Sequence, residues 1–410
     1  MDMQCSWMGI TLSSPLVLAS LTLFSKPNIE QHTAFFRKCI HAGAGAIILP
    51  SVNPVHPGAS NWFVKAMPVD NGLSSRQPMA FTVLGPTSNI ASTSYVISLI
   101  RTLRKQGVTT PILASVANVG STEDFLRAIR ILDCEDIQGF ELNFSCPNVL
   151  SAEAAPLRPS ADLLGKVRQL ASRKPITIKL SPNYDFSPLL NELTDEIQGF
   201  TLSNANSGLL PPLLNSSTGS FSPFPSTQTW SPTGVYGPHE RLLTFHTLYQ
   251  FMTLQAAAHK RFSVSSVGGY VNPEHAVQAL LLGANTVQLS SAILWKGIGS
   301  FESFHKFMGD YVQNHGYSNV ASLSGSALPF IVPSADEAVS SESSATIMQV
   351  GDNCRKCSPC QCCNRMCYAI TQDLSGTAPR INPALCSGCG WCKSQCPQGA
   401  IYPITTNIQK

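Results

Sequence analysis

Short apolar runs recur through roughly the first 300 residues. They read PLVLAS (15–20), GAIILPS (45–51), PMAFTVLG (78–85), PILASVA (111–117), GFELNFS (139–145), PITIKLS (175–181), GFTLSNA (199–205), FSVSSVGG (262–269) and ANTVQLSSA (284–292). They are near-continuous rather than alternating, which predicts strands covered on both faces, as in a parallel sheet. Helical patterns lie between them. Residues 28–43 end in glycine, a helix stop. Residues 94–107 place Val96, Ile97, Ile100 and Leu103 on one face, with basic residues before Gly107. Residues 121–137 open on Ser, Thr and acidic residues, and 272–284 carry proline in the first turn. Strand alternating with helix predicts a parallel α/β architecture, and about eight units at this length fit a (β/α)8 TIM barrel better than an open doubly wound sheet.

Two stretches break the rhythm. Residues 209–238 form a long Pro- and Ser-rich loop after a strand, on the face where barrels carry their chemistry, and are expected to act as a lid. Residues 324–353 are Ser-, Ala- and Pro-rich and are expected to be a linker. The expected domains are thus a barrel over 1–323, the linker, and a small C-terminal domain over 354–410.

Composition changes this picture little until cysteine is considered. With 410 residues and 43% hydrophobic content, the chain can bury a large core. A formal charge of +3 without a basic stripe gives no support to a nucleic-acid partner. Charged residues are only 12%, about half the usual share. That reflects either a drift toward Ser, Thr and Pro or a surface covered by a partner, hence the expectation of an oligomer. The opening residues lack a basic n-region, and no apolar run is long enough to span a bilayer. A soluble chain in the reducing cytoplasm is expected.

Ten of the 14 cysteines fall between Cys354 and Cys396. Cys357, Cys360, Cys363 and Cys367 are spaced C-x2-C-x2-C-x3-C, and Cys386, Cys389, Cys392 and Cys396 repeat that spacing, ending in Cys-Pro. Three thiolates so spaced wrap one corner of a 4Fe–4S cubane, and the fourth ligates the other cluster. The expected sets are Cys357, Cys360, Cys363 with Cys396, and Cys386, Cys389, Cys392 with Cys367. Structural zinc remains a weaker reading, since zinc prefers two C-x2-C arms separated by a longer loop. Tyr368 stands where the first run would carry proline, and Cys354 and Cys362 are spare. Cys39 and Cys134 lie in helical patterns and are expected to fill the core.

The stretch SVGGYVNPEHAVQALLLGANTVQLSSA (266–292) pairs a Gly-Gly turn with a second strand ending in small residues. Backbone N–H groups of Gly268, Gly269, Ser290 and Ser291 are candidates to cradle a phosphate, as late barrel loops do. Together with ELNFSCPN (141–148), ITIKLSPN (176–183) and LSNANSGL (202–209), this stretch resembles the successive motifs of the dihydroorotate dehydrogenase superfamily. With the cysteine-rich tail, the chain is most similar to the FMN/iron–sulfur catalytic subunit of dihydropyrimidine dehydrogenases. The resemblance covers nearly the whole chain in order.

What it implies is an FMN barrel that transfers hydride between flavin N5 and C6 of a pyrimidine while Cys146 carries the proton at C5. A thiol near pKa 8.5 suits a weakly acidic carbon. Asn143, Asn148 and Asn204 match the amides that hold the substrate's edge, where alternating C=O and N–H groups need both donor and acceptor. The cofactor contacts implied are Ala19, Ser20, Asn143, Lys179, Gly237, Gly268, Gly269, Ser290 and Ser291, with Lys179 placing positive charge beside the reduced flavin.

The chain departs from the family at several places. Leu49 and Pro50 stand where a second flavin lysine is usual. Thr82, and only later Asn89, stand where a substrate asparagine is usual. Ala205 replaces a hydroxyl residue, and Tyr236 replaces a small one. No nicotinamide fingerprint follows a strand, so a separate NAD(P)H-oxidising flavoprotein or a ferredoxin is the expected electron partner. Three functions follow as expectations: dihydropyrimidine-type oxidoreduction, dihydroorotate dehydrogenation, and non-catalytic electron transfer or redox sensing.

Overall fold

The computed structural model describes residues 2–21, 28–55, 65–69, 80–84, 91–145, 157–171, 173–212, 232–334, 337–338, 344–357, 367–372 and 377–407. The chain divides into two units, Met1–Leu328 and Pro329–Lys410.

The first unit is a closed eight-stranded parallel barrel. Its strands are β1 (Leu16–Leu18), β2 (Ala46–Ile48), β3 (Ile112–Ala117), β4 (Gly139–Asn143), β5 (Ile176–Leu180), β6 (Gly199–Leu202), β7 (Ser263–Ser266) and β8 (Thr286–Leu289), paired in chain order until β8 meets β1. Helices α1 (Ile29–His41), α2 (Thr93–Lys105), α3 (Thr122–Asp133), α4 (Ala161–Leu170), α5 (Ser187–Glu192), α6 (Arg241–Ala257), α7 (Pro273–Leu281), α8 (Ser291–Lys296) and α9 (Ser300–Asn314) accompany the strands. The helix starts follow their capping residues. Asn28 and Ser121 close reciprocal capping boxes with Gln31 and Asp124.

Eight of the nine apolar runs are barrel strands. The ninth, PMAFTVLG, is not. Ala80–Leu84 pairs antiparallel with Lys65–Val69 and with Thr233–Tyr236, which in turn pairs with Asn206–Gly208 just beyond β6. An apolar run signals a strand but not its partners; here one partner is the preceding strand and the other lies about 150 residues further on. The expected loop over 209–238 therefore contains a strand, while residues 213–231 lie outside the described residues.

The near-continuous apolar strands conceal an alternation. Leu16, Leu18, Ile47, Phe140, Leu142, Ile176, Ile178, Leu180, Phe200, Leu202, Val287 and Leu289 join the main core. The intervening residues differ between the two halves of the barrel. In β1–β3, Val17, Ala46, Ile48 and Leu113 pack on an N-terminal hairpin, Cys5–Trp7 with Ile10–Leu12, whose Trp7 is fully buried. In β4–β8 they are Glu141, Thr177, Lys179, Thr201, Ser265, Thr286 and Gln288, all buried.

A repeated clamp fixes the strands that carry this polar set. DIQGFEL (136–142) and EIQGFTL (196–202) enter β4 and β6. Arg104 near the end of α2 donates to the carbonyls of Asp136, Val108 and Thr110 and to Gln138 Oε1. Arg168 near the end of α4 donates to the carbonyls of Glu196, Ala171 and Lys174 and to Gln198 Oε1. The same glutamine oxygens accept Ile112 N at 2.9 Å and Ile176 N at 3.0 Å. Each clamp ties a helix end to the starts of two adjacent strands.

In the second unit, Ser344–Val350 pairs antiparallel with Ile401–Asn407, and Ile370–Thr371 with Arg380–Ile381. A short helix spans Trp391–Gln395, and Met348, Ile370, Cys392 and Ile401 form the core. The expected linker over 324–353 thus ends in a strand of this unit. Its seven residues pair in full register with the C-terminal strand, a partner local composition does not reveal.

Candidate functional site

A buried polar network occupies the barrel interior. Glu141 of β4 accepts at Oε2 from Thr201 Oγ1 and Gln288 Nε2, each at 3.0 Å. Its other oxygen lies 3.7 Å from Lys179 Nζ, with both side chains almost fully buried. A buried charge stripped of its partner typically costs about 3–5 kcal/mol, so each of these two holds the other in place. Lys179 and Gln288 also line a pocket, and Gln288 Oε1 is buried without a hydrogen-bond partner among the described residues. Such an orphan acceptor on a pocket-lining residue is unusual in a finished core.

The amide pair sits beside this network. Asn204 Nδ2 donates to Asn143 Oδ1 at 3.1 Å and to Ser145 Oγ at 2.9 Å. Asn143 Nδ2 donates to Ser51 Oγ, which contacts Ser115 Oγ at 2.8 Å and Ser20 Oγ at 3.3 Å. Pro50, at the position of the absent lysine, is buried, and the polar contact there is made by its neighbour Ser51.

The pocket runs from Ala19, Ser20, Lys179, Asn204 and Ala205 to Gly268, Gly269, Ser290 and Ser291. Both glycines have positive φ, +150° and +71°. A Cβ on Gly268 would meet Thr244 Oγ1, and one on Gly269 would lie 2.7 Å from Gly237 O and 2.8 Å from Arg241 N. Glycine is therefore required for the turn to close on the 237–241 segment. The amides of Gly268 and Gly269 have no acceptor among the described residues. Two free amides in a glycine turn, a buried lysine and an orphan amide oxygen fit a flavin phosphate at one end and a polar ring edge at the other.

Of the residues singled out by sequence, Ala19, Ser20, Lys179, Asn204, Gly268, Gly269, Ser290 and Ser291 line this one pocket. Asn143 contacts Asn204, and Gly237 packs under Gly269. Cys146 and Asn148 lie outside the described residues. Glu141, Gln288 and Ser51 were missed. A glutamate in the middle of the apolar run GFELN was the available signal for the first. Glu240, which also lines the pocket, gives none.

In the second unit, Cys392 is buried, and its thiol is pushed up by that burial first and then by Cys386, Cys367 and Cys389. These four are one of the two expected sets. Met348 N donates to Cys386 Sγ and Ala400 N to Cys396 Sγ, both at 3.3 Å. N–H···S bonds of this kind surround cluster thiolates. Cys360, Cys362 and Cys363 lie outside the described residues, and among the described residues no three His, Cys, Asp or Glu side chains close into a metal-binding group. Cys39 is buried as expected, but Cys134 is not a core filler. It follows the last residue of α3 and is exposed, with its Sγ directed to Arg130 O. No described helix is long and apolar enough to cross a membrane.

A (β/α)8 barrel with a pocket lined by residues just past the C-terminal ends of its strands is an enzyme scaffold. The chain belongs to the dihydroorotate dehydrogenase family, whose model matches residues 87–311, and a 4Fe–4S binding domain matches residues 379–402. It is similar to the dihydroorotate dehydrogenase B (NAD(+)) catalytic subunit of Pyrococcus furiosus, 23% identical over 80% of this chain and 99% of that protein. The corresponding Methanopyrus kandleri subunit is 27% identical over 53% of this chain and 66% of its own length. The dihydroorotate dehydrogenase (fumarate) of Lachancea kluyveri is 24% identical over 56% of this chain and 73% of that protein. The protein is an oxidoreductase of the type that acts on CH–CH bonds, with an iron–sulfur domain at its C-terminal end.

Proposed function

We propose that this chain is an FMN- and iron–sulfur-dependent enzyme that adds or removes two hydrogens across the C5–C6 bond of a pyrimidine base, in the manner of dihydropyrimidine dehydrogenases. The observation that carries the reading is the single pocket joining Lys179 and Asn204 to the Gly268–Gly269 turn. FMN, when bound, supplies hydride chemistry at its N5. Gly268, Gly269, Ser290 and Ser291 hold the phosphate end, with Ala19, Ser20 and Gly237 shaping the walls. Lys179 places positive charge against the ring, set by Glu141. Asn143, Asn148 and Asn204 orient the substrate's amide-like edge, and Cys146 moves the proton at C5. In the tail, Cys357, Cys360, Cys363 and Cys396, and Cys386, Cys389, Cys392 and Cys367, hold two 4Fe–4S clusters. These connect the site to a separate NAD(P)H-oxidising flavoprotein or a ferredoxin. Cys354 is outside both sets, so Cys354→Ser retains about eight irons per chain; a fall to about four by iron analysis would move the register.

Dihydroorotate is the second reading, favoured by the relatives' own names. The two substrates differ in charge. A carboxylate on the ring calls for a basic partner, and Lys179, the one lysine or arginine among the described lining residues, already faces Glu141. That supports a neutral ring. Anaerobic turnover with an artificial electron donor or acceptor, comparing uracil, thymine, their dihydro forms and dihydroorotate, decides between them. Turnover of the neutral bases is expected, and turnover of dihydroorotate alone would select the second reading. Protein with full clusters that never binds flavin would sink both.

A further inference from the structure

Glu240 is an acid in a place built for an anion. It lies at the end of the Gly237–Arg241 turn that closes on Gly269, and it lines the pocket with Gly268, Gly269, Ser290 and Ser291. The residue is 4% exposed. Its Oε1 accepts Asn206 N at 2.8 Å. A carboxylate here would stand beside the phosphate that the glycine amides are shaped to hold, and in a dry pocket such a like-charge contact is costly.

We propose that Glu240 is a cofactor-binding residue whose neutral carboxyl donates a hydrogen bond to the phosphate end of the flavin, and whose ionised form weakens the flavin's hold. The inference rests on the FMN reading above. Burial pushes the Glu240 carboxyl up to about 7, against the opposing pull of its hydrogen bonds from Asn206. A carboxyl raised in this way keeps its proton from its ordinary value up to about 7 and loses it above. FMN is therefore held tightly on the acid side and released as the pH rises through that value.

Other charged and titratable groups surround Glu240. Arg241 is the nearest arginine in sequence, but its guanidinium contacts His275 Nε2. His275 is held down at about 4 by burial and by Arg241, so it stays neutral across the range. His239 Nε2 lies 3.8 Å from Glu240 Oε1. Lys179 lines the pocket with Ala19 and Asn204, and so do Tyr236 and Tyr270. Burial drives Tyr270 further from ionisation. Gln at position 240 keeps the shape and the Asn206 contact but cannot ionise, and it leaves every one of these groups in place.

The test is flavin release from the full-length holoprotein, followed by recovery of flavin fluorescence on dilution at about pH 5.5 and about pH 8.5, a range that brackets the shifted carboxyl. FMN and riboflavin are compared in the wild type and in Glu240→Gln. The expected result is an FMN dissociation constant about tenfold weaker at the higher pH in the wild type. Glu240→Gln should show no such change, and riboflavin, which lacks the phosphate, should show little in either protein. A wild type whose FMN affinity is flat overturns the inference. So does a Glu240→Gln protein that follows the wild-type course, and so does riboflavin falling as steeply as FMN. A wild type that binds neither flavin at either pH overturns the FMN reading itself.

Discussion

Replacing Gly269 with alanine will strip the pocket of its flavin while the barrel still folds. The residue sits at φ +71°, a conformation that costs an alanine about 1–2 kcal/mol. The larger effect is steric. The new methyl would lie 2.7 Å from Gly237 O and 2.8 Å from Arg241 N, and both are backbone atoms that cannot swing aside as a side chain can. The turn over 237–241 must move, carrying Tyr236 and Glu240 out of the pocket wall and shifting the Gly268 and Gly269 amides from the place proposed for the phosphate. Purified Gly269→Ala should carry less than about a tenth of the wild-type flavin, with an unchanged far-ultraviolet spectrum. Gly107→Ala is the matched control. Its φ is +79°, and a Cβ there meets nothing within 4 Å. It should lose about 1 kcal/mol of stability and no flavin. Wild-type flavin in Gly269→Ala would remove the glycine turn from the binding site.

The barrel was legible because parallel strands buried on both faces leave a strong mark. Eight of nine runs landed in it, and helix ends fell where Gly43, Ser121 and Gly107 predicted. The ninth run shows the limit of that signal. Ala80–Leu84 has the composition of a barrel strand, but its partners at 65–69 and 233–236 were not distinguishable from loop. Ser344–Val350 was lost for the same reason, since it becomes a strand only against Ile401–Asn407.

The site was legible where a motif ties a residue type to a backbone task. Gly268 and Gly269 are needed for positive φ and close approach, and Asn204 for an amide at a strand end. Residues that act through three-dimensional neighbours were not. Glu141 reaches Lys179 from the adjoining strand and Gln288 from across the barrel, and Ser51, next to Pro50, accepts from Asn143 Nδ2. Glu240 reads in sequence as one more helix-start acid. Only burial against Asn206 and the glycine turn makes it chemically unusual.

Cys146→Ala will retain flavin and clusters and lose turnover by a factor of about 10²–10⁴, the usual worth of a positioned acid or base. The thiol itself lies outside the described residues, but the segment leading to it is tightly held. Phe144 N donates to Lys179 O at 3.1 Å, Ser145 Oγ to the same carbonyl at 3.2 Å, and Asn204 Nδ2 to Ser145 O at 3.1 Å. Direction sets the pH course. Taking a proton from C5 needs the thiolate, so the rate of ring oxidation should rise through the thiol's pKa, near 8.5 if unperturbed. Giving a proton to C5 needs the thiol, so ring reduction should fall over the same range. Cys146→Ser, a far weaker acid, should retain a small rate without that limb. Anaerobic steady-state rates for both directions, taken with flavin and iron content, separate proton transfer from cofactor loss. Turnover within about threefold of wild type in Cys146→Ala would assign the proton to another group.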